Sequence, residues 1–167
     1  MLLFTFVPSL YQSDTSWADV PYGQATLAST GAAPVALAMA YVAATGDTTY
    51  TPVEFAQWAT DHDLTAAGVD TIGAFLQQGG TAFGLAVDPM IVDDRTLRHA
   101  IVSNVPVLVV TQPGTFAPAS SVVVLDDIDK DSHIVLHDPT SASRSAKGWA
   151  FDDITDAAAL AFTVHEV

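Results

Sequence analysis

The chain has 167 residues, half of them hydrophobic, with a mean hydropathy of +0.34 and a formal net charge of −14 from 19 acidic and 5 basic residues. A chain of this size buries one sizeable core, so we expect a single domain over residues 1–167. The charge excludes nucleic acid and anionic membrane surfaces as partners, because both repel a strongly acidic protein. The absence of cysteine excludes disulfides, thiolate metal sites and a cysteine nucleophile.

The opening segment is apolar and reads "MLLFTFVPSL". It lacks a basic start and meets Pro8 before it reaches the length of a signal peptide or a membrane span, so we expect no membrane span. The location stays open: the chain is cytoplasmic, or it is a secreted or cell-surface protein from which a leader has been removed.

Helix signals dominate the first half. The segment from Gly31 to Thr45 is apolar on every face, tolerates Pro34 in its first turn and is followed by Gly46, which predicts a buried central helix. Further along, "TPVE" at residues 51–54 supplies an N-cap, a proline at the first helical position and a glutamate three residues after the cap.

Two further helices are predicted before the pattern changes. Asp70 can cap a helix through "TIGAFLQQ", which the pair Gly79-Gly80 weakens, and Asp93 or Asp94 can cap another through "RTLRHAIVSN".

From Pro106 onward the chain contains short β-branched runs separated by turn-rich stretches: "PVLVV", "SVVVLDDI", "HIVLHD" and "AFTVHE". They predict an antiparallel sheet of about four to six strands, drawn mainly from residues after Leu85. Helices followed by strands predict an α+β fold, in which the N-terminal helical half with its buried central helix packs on the C-terminal sheet.

Two ordered runs of motifs carry a resemblance. The first, "VPSLYQSDTSWADVPYGQATLASTGAAPVALAM", is similar to the start of the C39-like family of papain-fold cysteine peptidases, which read VP-x-x-x-Q-x-D-x-x-W-A-x-x-P-Y-G, a spacer and G-C-G-P-T-x-x-A-M. The second, "GTFAPASSVVVLDDIDKDSHIVLHDPTSASRS", resembles the family's G-H-F-x-x-G-G-H-F-I-V-L-x-G-I-D and D-P-x-S-x-x-R-S. The resemblance covers nearly the whole chain and implies a papain-like fold.

The sequence departs from the family at its catalytic positions. Ala32 stands where the family has its nucleophilic cysteine, and the alignment places Ser121 where it has the histidine base. The residue that orients the histidine falls on Asp138, and the oxyanion-side glutamine falls on Gln12. The resemblance therefore implies a peptidase that has lost its catalytic dyad, and it predicts that Ala32, Ser121 and Asp138 converge at one end of the interface between the two halves.

Hydroxyl and imidazole side chains elsewhere in the sequence are candidates to replace the dyad. Ser29 and Thr30 lie just before the central helix, but a hydroxyl nucleophile needs a base within hydrogen-bond reach. His137 precedes Asp138, and because consecutive side chains on a strand point to opposite faces, His137 should face away from a cleft that Asp138 faces.

The remaining polar features have ordinary structural interpretations. Asp127, Asp129 and Asp131 stand at alternate positions, as in calcium loops, but Ser132 replaces the glycine of such a loop and a strand follows, so an acidic hairpin turn is favoured over a calcium site. The segment "SASRSAKG" is expected to be a solvated loop, although its two cations suit a carboxylate.

The resulting expectation is a catalytically inactive C39-like peptidase homologue, without cofactor, whose cleft binds a peptide or a peptide-like cell-wall segment. One alternative is a hydrolase or transferase with displaced catalytic residues. The second is a structural or interaction module of a bacterial surface protein.

Overall fold

The computed structural model describes residues 6–167, and over this range the fold is α+β, as predicted. The first five residues of the apolar opening lie outside the described part. The helices are α1 Leu27–Thr30, α2 Ala32–Thr45, α3 Pro52–Asp61, α4 Val69–Ala82, α5 Asp94–Val102, α6 Ala142–Ser145 and α7 Phe151–Ala157. The strands are β1 Pro21–Tyr22, β2 Ala25–Thr26, β3 Leu85–Pro89, β4 Val107–Thr111, β5 Ser121–Ile128, β6 Ile134–His137 and β7 Ala158–Glu166.

Helix α2 is the buried axis that the apolar run predicts. It begins at Ala32, directly after Gly31, and ends at Thr45, where Gly46 follows with a left-handed φ of 74° that lets the backbone turn away. From Ala33 to Ala43 every residue is buried. The helix packs against α3, α4 and one face of the sheet, chiefly on β5 and β7.

The main sheet has five strands in the order β3-β7-β4-β5-β6, and every neighbouring pair is antiparallel. Val122 and Val124 of β5 belong to the core that contains α2, whereas Val123 and Leu125 belong to a second core on the other face, with α5 and α7. Burial on both faces explains why these strands read as continuous apolar runs rather than as alternating patterns.

The predicted helix starts hold, with one correction. Thr51 and Glu54 form a capping box at α3, and Asp93, rather than Asp94, caps α5. Helix α4 begins after Gly68 instead of being capped by Asp70, and it continues through Gly79 and Gly80 to Ala82. The two glycines lie within the helix and allow it to pack closely on its neighbours. A Cβ on Gly80 would collide with Val87 of β3.

Within residues 6–167 no helix is both long and apolar enough to cross a membrane.

Candidate functional site

Gln12 connects three parts of the chain. Its backbone N–H donates to the Pro139 carbonyl at 2.9 Å, and its side-chain Nε2 donates to the Ala28 carbonyl in α1 at 2.7 Å. Its Oε1 is buried and has no hydrogen-bond partner among the described residues. Gln12 thereby holds the segment before α2 against the loop that follows β6, the neighbourhood in which the resemblance places the catalytic residues.

Ala32 opens α2 at a tight junction with α1. The Gly31 N–H donates to the Leu27 carbonyl at 2.9 Å, and a Cβ on Gly31 would lie 2.6 Å from that oxygen, so only glycine fits. Among residues 6–167 no side chain caps α2, and its first turn holds no acidic residue, so the helix itself does not compensate the positive potential at its start. The methyl group of Ala32 has no chemistry to offer there.

The hydroxyls next to Ala32 lack a base. Thr30 Oγ1 donates to the Thr26 carbonyl at 3.3 Å, and Ser29 Oγ lies 3.5 Å from Thr26 Oγ1. Neither hydroxyl contacts an imidazole or a carboxylate through a hydrogen bond in the described structure. They are therefore poorly placed to replace the missing cysteine.

Ser121 is the first residue of β5 and is 3% exposed. Its N–H donates to Thr111 Oγ1 at 3.2 Å, while its own Oγ is buried without a partner in the described part of the chain. It precedes Val122, which packs with α2, so strand alternation assigns the Ser121 side chain to the face of the sheet away from that helix. The prediction that Ser121 faces Ala32 therefore rests on the family alignment and is not supported by this alternation.

Asp138 is fully buried and both of its carboxylate oxygens are engaged. Oδ2 accepts from Arg144 Nε at 2.7 Å, and Oδ1 accepts from the N–H and the hydroxyl of Thr140 at 2.8 and 2.7 Å. The Asp138 N–H donates to Ser145 Oγ at 2.8 Å. The carboxylate therefore orients a guanidinium in this protein, not an imidazole.

This ion pair corrects the expectation of a solvated loop at "SASRSAKG". Residues 142–145 form α6, Trp149 Nε1 donates to the Arg144 carbonyl at 2.9 Å, and Lys147 Nζ lies 3.9 Å from the centre of the Trp149 ring. Arg144 was missed as a site residue, although its spacing from Asp138 was part of the matched motif. That spacing, six residues with serines between, was the available signal.

His137 and Asp138 have different partners, as strand alternation predicts. His137 Nε2 lies 2.9 Å from Asp126 Oδ2, and its Nδ1 lies 3.2 Å from Ser9 Oγ. Ser9 and Asp126 were not singled out from the sequence, because nothing in the local pattern relates residues so far apart.

In the turn between β5 and β6, backbone groups occupy a carboxylate oxygen of Asp129, one of the three residues of the calcium hypothesis. Asp129 Oδ1 accepts from the N–H groups of Asp131 and His133 at 2.9 and 3.0 Å. The hydrogen bond from the His133 N–H is the main reason why the pKa of Asp129 lies below its ordinary value. Within residues 6–167 no three acidic or histidine side chains are arranged to hold a metal ion. Asp129 and Asp131 lie in the turn between β5 and β6, whereas Asp127 lies in β5 and pairs with Val135.

An open groove lies beside Gln12. It has a volume of about 390 Å³ and is lined by Gln12, Ser29, Thr140, Arg144 and residues 114–118. We call it the Gln12 groove. Its lining includes hydroxyls, an amide and one guanidinium, but no imidazole, so it offers hydrogen bonds without a general base.

Further grooves lie elsewhere on the described part of the chain. One of about 360 Å³ lies on the Thr30 side of α1 and is lined by Tyr22, residues 23–25 and residues 65–67. The larger one, about 560 Å³, lies between α4 and β7, away from the positions that the resemblance identifies.

No family model and no curated protein matches the chain.

Proposed function

We propose that the chain is a homologue of the C39-like, papain-fold peptidases that has lost their peptidase activity, and that its Gln12 groove binds an extended peptide or a peptide-like segment. The observation that carries this proposal is the groove itself, which is open, about 390 Å³ in volume and rich in hydrogen-bonding groups, yet lined by no imidazole. An open groove with hydrogen-bonding groups is what a binding site needs. Acyl transfer also needs a nucleophile with a base beside it.

The loss of catalysis follows from the residues around the groove. Acyl transfer in this family requires a thiolate and an imidazole, and the chain has no cysteine at all. The Nε2 of Gln12 donates to Ala28, and the carboxylate of Asp138 is held by Arg144 and Thr140. The groups that once supported the reaction therefore support the fold in our proposal.

The charge of the groove favours a ligand with a carboxylate. Arg144 is the charged residue of the described lining, in a chain with only 5 basic residues. Its Nε and Nη2 are used by Asp138 and Thr140, and its side chain is 31% exposed. The exposed part of the guanidinium attracts a peptide carboxylate at this end of the groove. The hydroxyls of Ser29 and Thr140 also line the groove and can form hydrogen bonds with peptide groups.

Binding is tested with tetra-alanine, which has a free carboxylate, and with its C-terminal amide. In ¹H–¹⁵N spectra of the ¹⁵N-labelled chain, we expect tetra-alanine to shift the amide signals of residues 114–118 and Ser29, and the amide form to bind several-fold more weakly. Ser29→Trp, which fills the groove, should abolish the shifts, whereas Ser103→Trp, at the exposed end of α5, should leave them unchanged. Absence of shifts with both peptides, or equal shifts in both variants, contradicts the binding proposal and favours an interaction module.

Inactivity is tested separately, with peptide substrates and mass-spectrometric detection of products. We expect no cleavage above the buffer rate, because the groove holds no nucleophile and base in contact. Cleavage that is lost in Ser29→Ala or Thr30→Ala would instead support the hydrolase with displaced catalytic residues.

A further inference from the structure

Three polar side chains from distant parts of the chain meet outside the Gln12 groove. Ser9 lies in the N-terminal segment, Asp126 on β5 and His137 at the end of β6. The Ser9 Oγ is 3.2 Å from His137 Nδ1, and His137 Nε2 is 2.9 Å from Asp126 Oδ2. None of the three lines the Gln12 groove.

The surrounding structure holds these residues in place. The pairing of β5 with β6 shifts register between Leu125 and Asp127, so Asp126 occupies a β-bulge, a feature that re-aims a side chain. The His137 side chain is 14% exposed and lies between its two partners. The segment before Gln12 is anchored by Val7, which is buried, and by the Leu10 N–H, which lies 3.4 Å from Met39 Sδ.

The hydrogen bonds select one tautomer of the neutral imidazole. A carboxylate only accepts, so Asp126 requires the proton on Nε2, which leaves the lone pair of Nδ1 directed at the Ser9 hydroxyl. A nucleophile in contact with a base that a third group orients is the arrangement that activates serine. The ring nitrogens are exchanged relative to serine peptidases, in which Nε2 faces the serine, but the proton path is the same.

We propose that Ser9, His137 and Asp126 form a nucleophilic site that accepts acyl groups from small activated esters. Ser9 Oγ attacks the ester carbonyl carbon while its proton passes to His137 Nδ1. The tetrahedral intermediate collapses with loss of the alcohol, which takes the proton from Nδ1, and Ser9 is left acylated. A water molecule that repeats these steps releases the acid and restores the hydroxyl.

The substrate class follows from the exposure of the site. Ser9 is exposed, and the cavity next to Asp126, which Val7 and Leu125 also line, has a volume of only about 10 Å³. Small acyl groups need no deep pocket, and an activated leaving group departs with little help from the proton on His137 Nδ1. The site is therefore suited to acyl transfer from activated esters rather than to peptide cleavage.

The test uses p-nitrophenyl acetate with the full chain. We expect release of nitrophenolate together with an acetyl group that peptide mass spectrometry localises to Ser9. Ser9→Ala should abolish this adduct, and Ser13→Ala, which removes another exposed serine of the same segment, should not. His137→Gln should slow acetylation of Ser9 by about 10²-fold, the lower end of what a positioned general base contributes. Asp126→Asn should also slow it.

His99→Gln is the matched control, because His99 is an exposed histidine elsewhere on the surface and free imidazole itself reacts with such esters. The proposal is overturned if Ser9 carries no acetyl group, or if His137→Gln and His99→Gln acetylate Ser9 at the same rate. If circular dichroism shows that the His137 variant does not fold, the wild-type chain alone tests the proposal. Acetylation of Ser9 in clear preference to Ser13 supports the site, and equal labelling of the two overturns it.

Discussion

Asp138 and Arg144 form an ion pair of unequal exposure. The carboxylate of Asp138 is fully buried, whereas the guanidinium side chain is 31% exposed. Removal of the guanidinium leaves a buried carboxylate with only the two donors of Thr140. A buried charge that has lost its partner is among the most destabilising changes in a protein.

We therefore expect Arg144→Met to lower the free energy of unfolding by about 3 kcal/mol. Urea unfolding followed by circular dichroism measures the change, and Lys130→Met is the control, because Lys130 is an exposed cation. The added substitution Asp138→Asn should recover part of the loss, since it removes the unpaired charge. If the Arg144 and Lys130 variants unfold at the same urea concentration, the ion pair does not stabilise the fold.

Ala32 permits a direct test of the family alignment. In Ala32→Cys with Ser121→His, we expect iodoacetamide to label the thiol faster than in Ala32→Cys alone, because a nearby imidazolium lowers the thiol pKa. A shift of one pKa unit gives up to about tenfold more thiolate near neutral pH.

The matched control is Ala32→Cys with Val122→His, which puts the imidazole on the neighbouring residue of β5 and on the other face of the sheet. Faster labelling with histidine at 122 than at 121 would show that the alignment is displaced by one residue. Equal labelling in all three variants would remove the support for Ser121 as the histidine position.

At the level of elements, close contact between α4 and β3 depends on glycine. A Cβ on Gly79 would meet Phe75, Leu37 and Trp58 at 3.3–3.4 Å, which small adjustments absorb, whereas a Cβ on Gly80 would collide with Val87. Val87 is short, β-branched and buried in the core that contains α2, so it has little room to move.

Gly79→Ala and Gly80→Ala form a matched pair, because both gain the same helix propensity in the same turn. We expect Gly80→Ala to be less stable than Gly79→Ala by about 1–2 kcal/mol, the usual cost of an overpacked core. Thermal unfolding of the two variants measures the difference, and equal midpoints would mean that β3 moves away at little cost.

The elements that could be predicted are those with local signals. The extent of α2 follows from its apolar run and Gly46, and α3 follows from Thr51 and Glu54. Strand β3 was not identified, because "LAVDP" is short and acquires its meaning only by pairing with β7. Helix α7 was not identified either, since its seven residues lie between stronger strand signals.

The residues of the candidate site also differ in whether a local signal in the sequence identifies them. Gln12 and Asp138 were found through ordered motifs, although their present hydrogen bonds, to Ala28 and to Arg144, were not. The contact between Ser9 and His137 joins residues 128 positions apart. No periodicity or spacing within either segment relates them, because only the folded sheet brings them together.

For the molecule as a whole, the net charge of −14 opposes compaction. Salt screens this repulsion, since the Debye length falls from about 30 Å at 0.01 M to about 10 Å at 0.1 M ionic strength. We expect the melting temperature to rise over this range, by about 2–4 °C for each kcal/mol of repulsion removed.

The control is a triple variant with Asp19→Lys, Asp88→Lys and Asp156→Lys at exposed positions. Each substitution replaces −1 by +1, so the net charge changes from −14 to −8. The salt effect on the melting temperature should be smaller in this variant. An equal slope in both proteins would assign the salt effect to something other than net charge.

The position of β7 between β3 and β4 in the sheet has a consequence for synthesis on the ribosome. Strand β3 pairs with β7, and Ala158 comes 69 residues after Pro89 (158 − 89). At about 5–20 residues per second, β3 waits roughly 3–14 s for its partner. Phe162 and Val164 of β7 also complete the core around α2, so the nascent helical half exposes apolar surface throughout that interval. Slow translation of residues 90–157 therefore prolongs the period in which the chain is prone to aggregate.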